Sequence, residues 1–280
     1  MFSPAAAVQP VSLMHLYGEE YDEVDRTIQN ILNQYVGPPV GSREDAATLL
    51  DNLRTTRRQY PGRMGQSEGA FFRGFWKVFL VLVKQINSSQ PAMDQLILLI
   101  QELRFMSLTS PFRTNPWRNL PGLPDAIHNI WHEPTRYEDS YIAFGEWINL
   151  NSFAARLYGD GIFDCYGLGI TALRRAFESS NTPVPAVRDC RIKAATQWIH
   201  WAAFKMFDLM RSVPSHDDRN RHRSDRFTGS RVFSLERWIF WKRHFSREQS
   251  DNLDDAIGLA LTLMNEADGG MPISEPSRMH

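Results

Sequence analysis

Few residue sets in this chain have the types and spacing that chemistry needs. His128 and His132 stand at i and i+4, a helical spacing that can bring two imidazoles to one metal, and Glu133 follows directly. Pro134 stops a helix there and no third ligand is forced, so surface histidines favoured by a helix C-terminus are the stronger reading, and no metal is expected. Asp217-Asp218 and Asp254-Asp255 are the nearest approach to a carboxylate site for a metal-bound diphosphate. Arg221 and Gly258 stand three residues beyond those pairs, where a further carboxylate would be needed. His200, between Ile199 and Trp201, reads as a half-buried hydrogen-bonded side chain rather than a general base. The arginines from Arg219 to Arg226 could meet an anion or a partner, but Asp217, Asp218 and Asp225 offset them, and a solvated loop is expected. The chain has no glycine-rich phosphate loop after a strand, no G-x-S-x-G elbow and no H-E-x-x-H pair.

The remaining candidates sit on two helical segments, Trp147 to Leu157 and Ser234 to Lys242, which set Trp beside Asn, Arg or Glu on apolar faces. A polar group drawn into such a face costs roughly 1–3 kcal/mol unless it is hydrogen-bonded. The sequence therefore predicts a satisfied polar network within an aromatic core. Asn151 lies beside the stripe of Trp147, Leu150, Ala154 and Leu157. Arg156, Glu236 and Arg237 are candidates to pair with one another or with Glu178. Asn151, Arg156 and Glu178 are expected to meet across an antiparallel helix pair joined at Gly159-Asp160-Gly161. A structural role is the stronger reading, since no nucleophile or metal set accompanies these groups. The competing reading makes a ligand pocket of the same residues together with Trp198, His200, Trp238 and Trp241.

The elements that must position these groups are all helical. A first helix over about 21–35 turns Val24, Ile28, Ile31 and Leu32 inward and stops at Gly37-Pro38-Pro39. Ser42 caps a second, with Asp45 at its third position. A third, from about 69 to 87, is apolar nearly all round, and Pro91 opens a fourth. Pro111, Pro116, Pro121 and Pro124 exclude continuous helix between 108 and 124, a loop that Trp117 is expected to pin. Helices follow over about 125–132, through Trp147 to Gly159, 163–179, 186–211, around Trp238, and 251–267. No segment alternates as a strand does and no repeat of fixed period appears. The fold class expected is all-α, one multi-helix domain of about nine or ten helices over 21–268. A flexible arm (1–20), a polar loop (214–231) and a disordered tail (269–280) complete the expectation.

Composition narrows the function classes. The 280 residues carry a net charge of −1, which gives no basic excess for nucleic acid. Aromatic residues make up 12%, and a heavily aromatic core is the stronger reading of that excess over an aromatic pocket. Cys165 and Cys190 are too few for a disulfide framework and read as reduced core thiols in the cytoplasm. The N-terminus lacks a basic leader, and the apolar run Val78 to Val83 is fenced by Lys77 and Lys84. A membrane span needs about 20 apolar residues, so none is expected.

The same segments carry a resemblance. They read W-x-x-L-N-x-F-x-A-R-L over Trp147 to Leu157, L-R-x-A-x-E at Leu173, Arg174, Ala176 and Glu178, A-A-x-x-W-I over Ala194 to Ile199, and S-L-E-R-W-x-F-W-K over Ser234 to Lys242. In combination, over about residues 70–267, the chain resembles a filamentous-fungal family known only as a domain of unknown function. Phe177 stands where Leu is commoner, and the 214–231 stretch is an expansion. The resemblance implies an all-helical intracellular protein without assigned catalytic residues, some of whose relatives are encoded beside secondary-metabolite genes. The leading expectation is an accessory protein of such a pathway, cofactor-free, binding an apolar small molecule and assisting a cyclisation or isomerisation. The alternative is a non-catalytic helical module for a protein partner.

Overall fold

The most apolar segment of the N-terminal half becomes its central helix in the computed structural model, which describes residues 21–57, 67–106, 115–134, 141–179, 184–224, 226–227, 229, 231–248 and 253–271. The expected N-terminal arm, residues 1–20, and tail residues 272–280 lie outside them. The described residues form eleven helices and no strand. The fold is all-α, as the 3.6-residue periodicity requires. The helices gather into two compact units, one over residues 1–133 and one over 134–280.

In the first unit, α1 (Glu23–Val36) opens on a capping box between Asp22 and Asp25. α2 (Arg43–Thr56) starts at Ser42, whose hydroxyl accepts from the Asp45 N–H. α3 (Glu68–Gln85) buries Phe71, Phe75, Trp76 and Phe79 at the centre. α4 (Pro91–Phe105) has its proline at the first turn, where the missing N–H costs nothing. α5 (Leu123–Ile130) follows Gly122, whose left-handed φ of 81° suits the residue without a Cβ. Trp117 does pin the approach to α5. Its ring is fully buried against Phe72 and Phe75, and its indole N–H donates to Asp51 at 2.9 Å.

In the second unit, α6 (Tyr141–Gly159), α7 (Tyr166–Phe177), α10 (Leu235–Arg247) and α11 (Asp254–Asp268) all pack on α8 (Pro185–Arg211). α8 breaks at Ala202, where φ is −139° and ψ 18°. The break meets the end of α6 so closely that a Cβ on Gly159 would lie 2.0 Å from the Trp201 carbonyl oxygen.

Two local outcomes differ from the pattern reading. The polar stretch contains a helix, α9 (His216–Arg221), because Ser215 and Asp218 form a reciprocal capping box that satisfies the first N–H groups. At the other end, the Gly270 and Met271 N–H groups both donate to Asp268 at 3.0 Å, which holds the chain through residue 271. Among the described residues, no helix is long and apolar enough to cross a membrane.

Candidate functional site

The polar residues of the signature helices divide into three separate clusters, all in the second unit. In the first, Asn151 is fully buried on α6. Its amide donates to the Trp147 carbonyl at 2.9 Å, one turn back, and its oxygen accepts the Trp198 indole N–H at 2.9 Å. Gly169 of α7 opens the slot for that indole, since a Cβ there would come within 2.5 Å of the Trp198 ring. One turn along α6, Arg156 donates to the Ser152 hydroxyl and lies 3.5 Å over the Trp201 ring, a cation–π contact.

The second cluster is a buried ion pair. Glu178, one residue past α7, receives Arg237 Nε and Nη2 at 2.8 Å each, one to each carboxylate oxygen, and the Trp241 indole N–H at 2.6 Å. Arg237 Nη1 donates to the Val232 carbonyl at 2.6 Å. The two side chains are 0% and 1% exposed, so the fork geometry of the guanidinium has to satisfy both charges without solvent. Arg237 lies at the third position of α10 because Ser234 caps that helix, its hydroxyl accepting from the Arg237 N–H.

Lys242 carries the third cluster from the next turn of α10. Its ammonium donates to Asp268 at 2.8 Å and to the Met271 carbonyl at 2.8 Å, while the Trp238 indole N–H reaches the same carboxylate at 3.0 Å. Asp268 was missed by pattern because it is the last residue of α11, where an acid opposes the helix dipole. Only the Gly269-Gly270 stop beside it marked the position.

Not every candidate joins these clusters. Arg156 and Glu178, expected to meet across the α6–α7 pair, belong to different clusters, because Glu178 is taken by Arg237 from α10. Glu236, one position before Arg237, points to solvent. His200 is exposed and stacked on Trp201, with ring centroids 4.3 Å apart. His132 lies beyond the end of α5, so it and His128 do not share a helical face. No three His, Cys, Asp or Glu side chains among the described residues are grouped to hold a metal.

The aromatic interior is occupied by protein. Trp198, Trp238 and Trp241 are fully buried, and each indole N–H has an acceptor on or just past a neighbouring helix. A cleft of about 640 Å³ lies elsewhere, between the end of α8 and the start of α10. Its wall includes Arg219, Arg223, Arg231 and His222, with Val213 and Phe227 as apolar members, and Arg237 contributes from behind. These arginines come from the stretch whose mixed charge reads as a solvated loop. α9 changes that outcome by withdrawing Asp218 from the surface, where Ser215 and the Tyr166 hydroxyl donate to it at 2.6 and 2.8 Å.

The electrostatics of this corner follow from burial. Burial works against ionisation of Asp218, but the hydrogen bonds from Ser215 and Tyr166 hold its carboxyl below the usual range. Burial, and then the bond to Asp218, pushes the Tyr166 phenol up to about 12. His222 is 6% exposed. Burial depresses its basicity, and although Asp218 opposes this, Arg174, Arg237 and Arg221 add to it. Its Nε2 lies 3.9 Å from Asp218, whereas Nδ1 is buried without any hydrogen-bond partner.

No curated protein and no solved structure matches this chain. One family model, described as "Protein of unknown function (DUF3632)", matches residues 76–245, more than half of the sequence and all three polar clusters except Asp268 and Met271. The chain belongs to the DUF3632 family, whose function is unknown.

Proposed function

We propose that this protein is a cytoplasmic accessory protein of fungal secondary-metabolite biosynthesis, and that it binds a small molecule in the cleft between α8 and α10. The observation that carries the reading is His222 Nδ1, a buried polar atom without a partner on a residue of the cleft wall. Such an atom costs about 1–3 kcal/mol unless something binds to it, and native proteins keep few of them. The cleft is favoured over an apolar pocket at Trp198, Trp238 and Trp241, because those three indole N–H groups are already satisfied. Buried free thiols at Cys165 and Cys190 fit a reducing compartment. A cyclisation or isomerisation needing only shape and hydrogen-bond donors suits a site of this kind.

The test is deletion of the gene in a producing strain, followed by metabolite profiling and complementation. Val213 is 88% exposed on the cleft wall, so Val213→Trp fills the mouth with little effect on folding. The native gene should restore the lost metabolite, and the Val213→Trp gene should not, with the melting temperature unchanged. An unaltered metabolite profile on deletion would refute the pathway role. Full complementation by Val213→Trp would refute the cleft and favour a helical surface for a protein partner.

A further inference from the structure

We infer that the cleft is built for an oxyanion, a carboxylate or phosphate group of an organic molecule, held by Arg219, Arg223 and Arg231 and completed by the His222 imidazole; this rests on the cleft being the ligand site. None of the three arginine side chains has a hydrogen bond or ion pair to the described residues, and all three are exposed on the cleft wall. Among the described residues, no Asp or Glu lines the wall. The described acids nearby are engaged elsewhere. Asp217 pairs with Arg221 at 3.3 Å, Asp218 is held by Ser215 and Tyr166, and Glu178 is held by Arg237. The wall therefore presents positive charge that the described residues do not neutralise, in a concavity where fields are focused rather than screened. Guanidinium groups match the planar fork of a carboxylate or phosphate. Val213 and Phe227 add an apolar surface, which fits an organic body attached to the anion.

His222 makes the site more than a basic patch. Asp218 lies 3.9 Å from Nε2 and favours the tautomer with its proton there. Nδ1 is then a lone pair, which an anion repels. When Nδ1 takes a proton, the ring becomes an imidazolium on the cleft wall, and its charge favours a bound anion. Within the protein, protonation is opposed by burial and by Arg174 on α7, Arg237 on α10 and Arg221 on α9, against the single favourable charge of Asp218. Tyr166 on α7 is neutral at ordinary pH and bonds to Asp218 rather than to the ring. Anion binding and proton uptake by His222 must therefore favour each other, by reciprocal linkage.

The experiment titrates the full chain with benzoate, phenyl phosphate and the uncharged benzyl alcohol, by calorimetry and by the His222 Hε1 NMR signal. One saturable site should take benzoate or phenyl phosphate at least roughly tenfold more tightly than benzyl alcohol, as a charge-assisted contact requires. The tighter of the two anions identifies the headgroup as carboxylate or phosphate. The exposed pair Arg219→Gln/Arg223→Gln should weaken that anion at least roughly tenfold with an unchanged melting temperature. Affinity should rise as pH falls, and the His222 signal should titrate at higher pH when the anion is bound. Loss of this pH dependence in His222→Phe would support the proton step. Failure of both anions to bind, or equal binding of anions and benzyl alcohol, would overturn the oxyanion assignment. Equal binding that Val213→Trp abolishes would keep the cleft as a ligand site, whereas binding that Val213→Trp leaves intact would overturn the cleft itself.

Discussion

Removing either partner of the Glu178–Arg237 pair should destabilise the second unit far more than removing both. Glu178 receives two bonds from Arg237 at 2.8 Å and one from Trp241 at 2.6 Å, in an environment where neither charged side chain is more than 1% exposed. Arg237→Met leaves a buried carboxylate with the Trp241 N–H and the distant Arg174 Nε, 4.0 Å away, as its nearest compensation. Glu178→Leu strands a buried guanidinium with the Val232 carbonyl. Each single change should cost about 3–5 kcal/mol, which lowers a melting temperature by roughly 6–20 °C for a protein of this size class. The pair Glu178→Leu/Arg237→Met removes both buried charges together, and should return to within about 2 kcal/mol of the native protein. Urea unfolding followed by tryptophan fluorescence gives all four corners of the cycle, and Trp241 and Trp238 lie in the unit that is perturbed. Two results would refute the reasoning. One is a single variant within about 1 kcal/mol of native stability, and the other is a double variant no more stable than the worse single one.

Other perturbations follow from the same geometry. The depressed basicity of His222 means that, just below its usual value of 6.5, the unfolded chain binds a proton the folded chain does not. Stability should therefore fall as pH drops through about 6.5 toward the lower folded value, and a His222→Phe variant should show a flatter profile in urea midpoints measured between pH 7.5 and 5.5. Gly159→Ala places a Cβ 2.0 Å from the Trp201 carbonyl and should cost at least about 2 kcal/mol. Gly145→Ala, with nothing within 4 Å on the same helix, should instead stabilise by about 0.5–1 kcal/mol, and thermal melts of the two variants check the contrast. Burial pushes the Cys165 thiol far up, so native protein should react with a thiol reagent only as fast as it unfolds; rapid labelling of Cys165 would contradict its burial.

The sequence by itself determined the helices other than α9, because each of them is written in local terms. Periodic apolar faces, Ser42 as a cap, Pro91 at a first turn and Gly159 or Gly269 at a stop act within a few residues of where they stand. It also marked Asn151, Arg156, Glu178 and Arg237 as polar groups on apolar faces that need partners. The pairing was decided by tertiary structure. Arg237 reaches Glu178 across 59 positions of sequence, and Trp198 reaches Asn151 across 47, distances over which spacing carries no information. Arg156 and Glu178 sit on consecutive helices, yet packing gives one to Trp201 and the other to α10. The cleft was the least legible feature. Its arginines are written beside acids in a stretch without periodicity, and only the fold turns Asp218 inward against Ser215 and Tyr166 while Arg219, Arg223 and Arg231 remain outside. Net charge along a sequence is a sum over neighbours in the chain, whereas a ligand meets the charge left on one surface after burial has removed the rest.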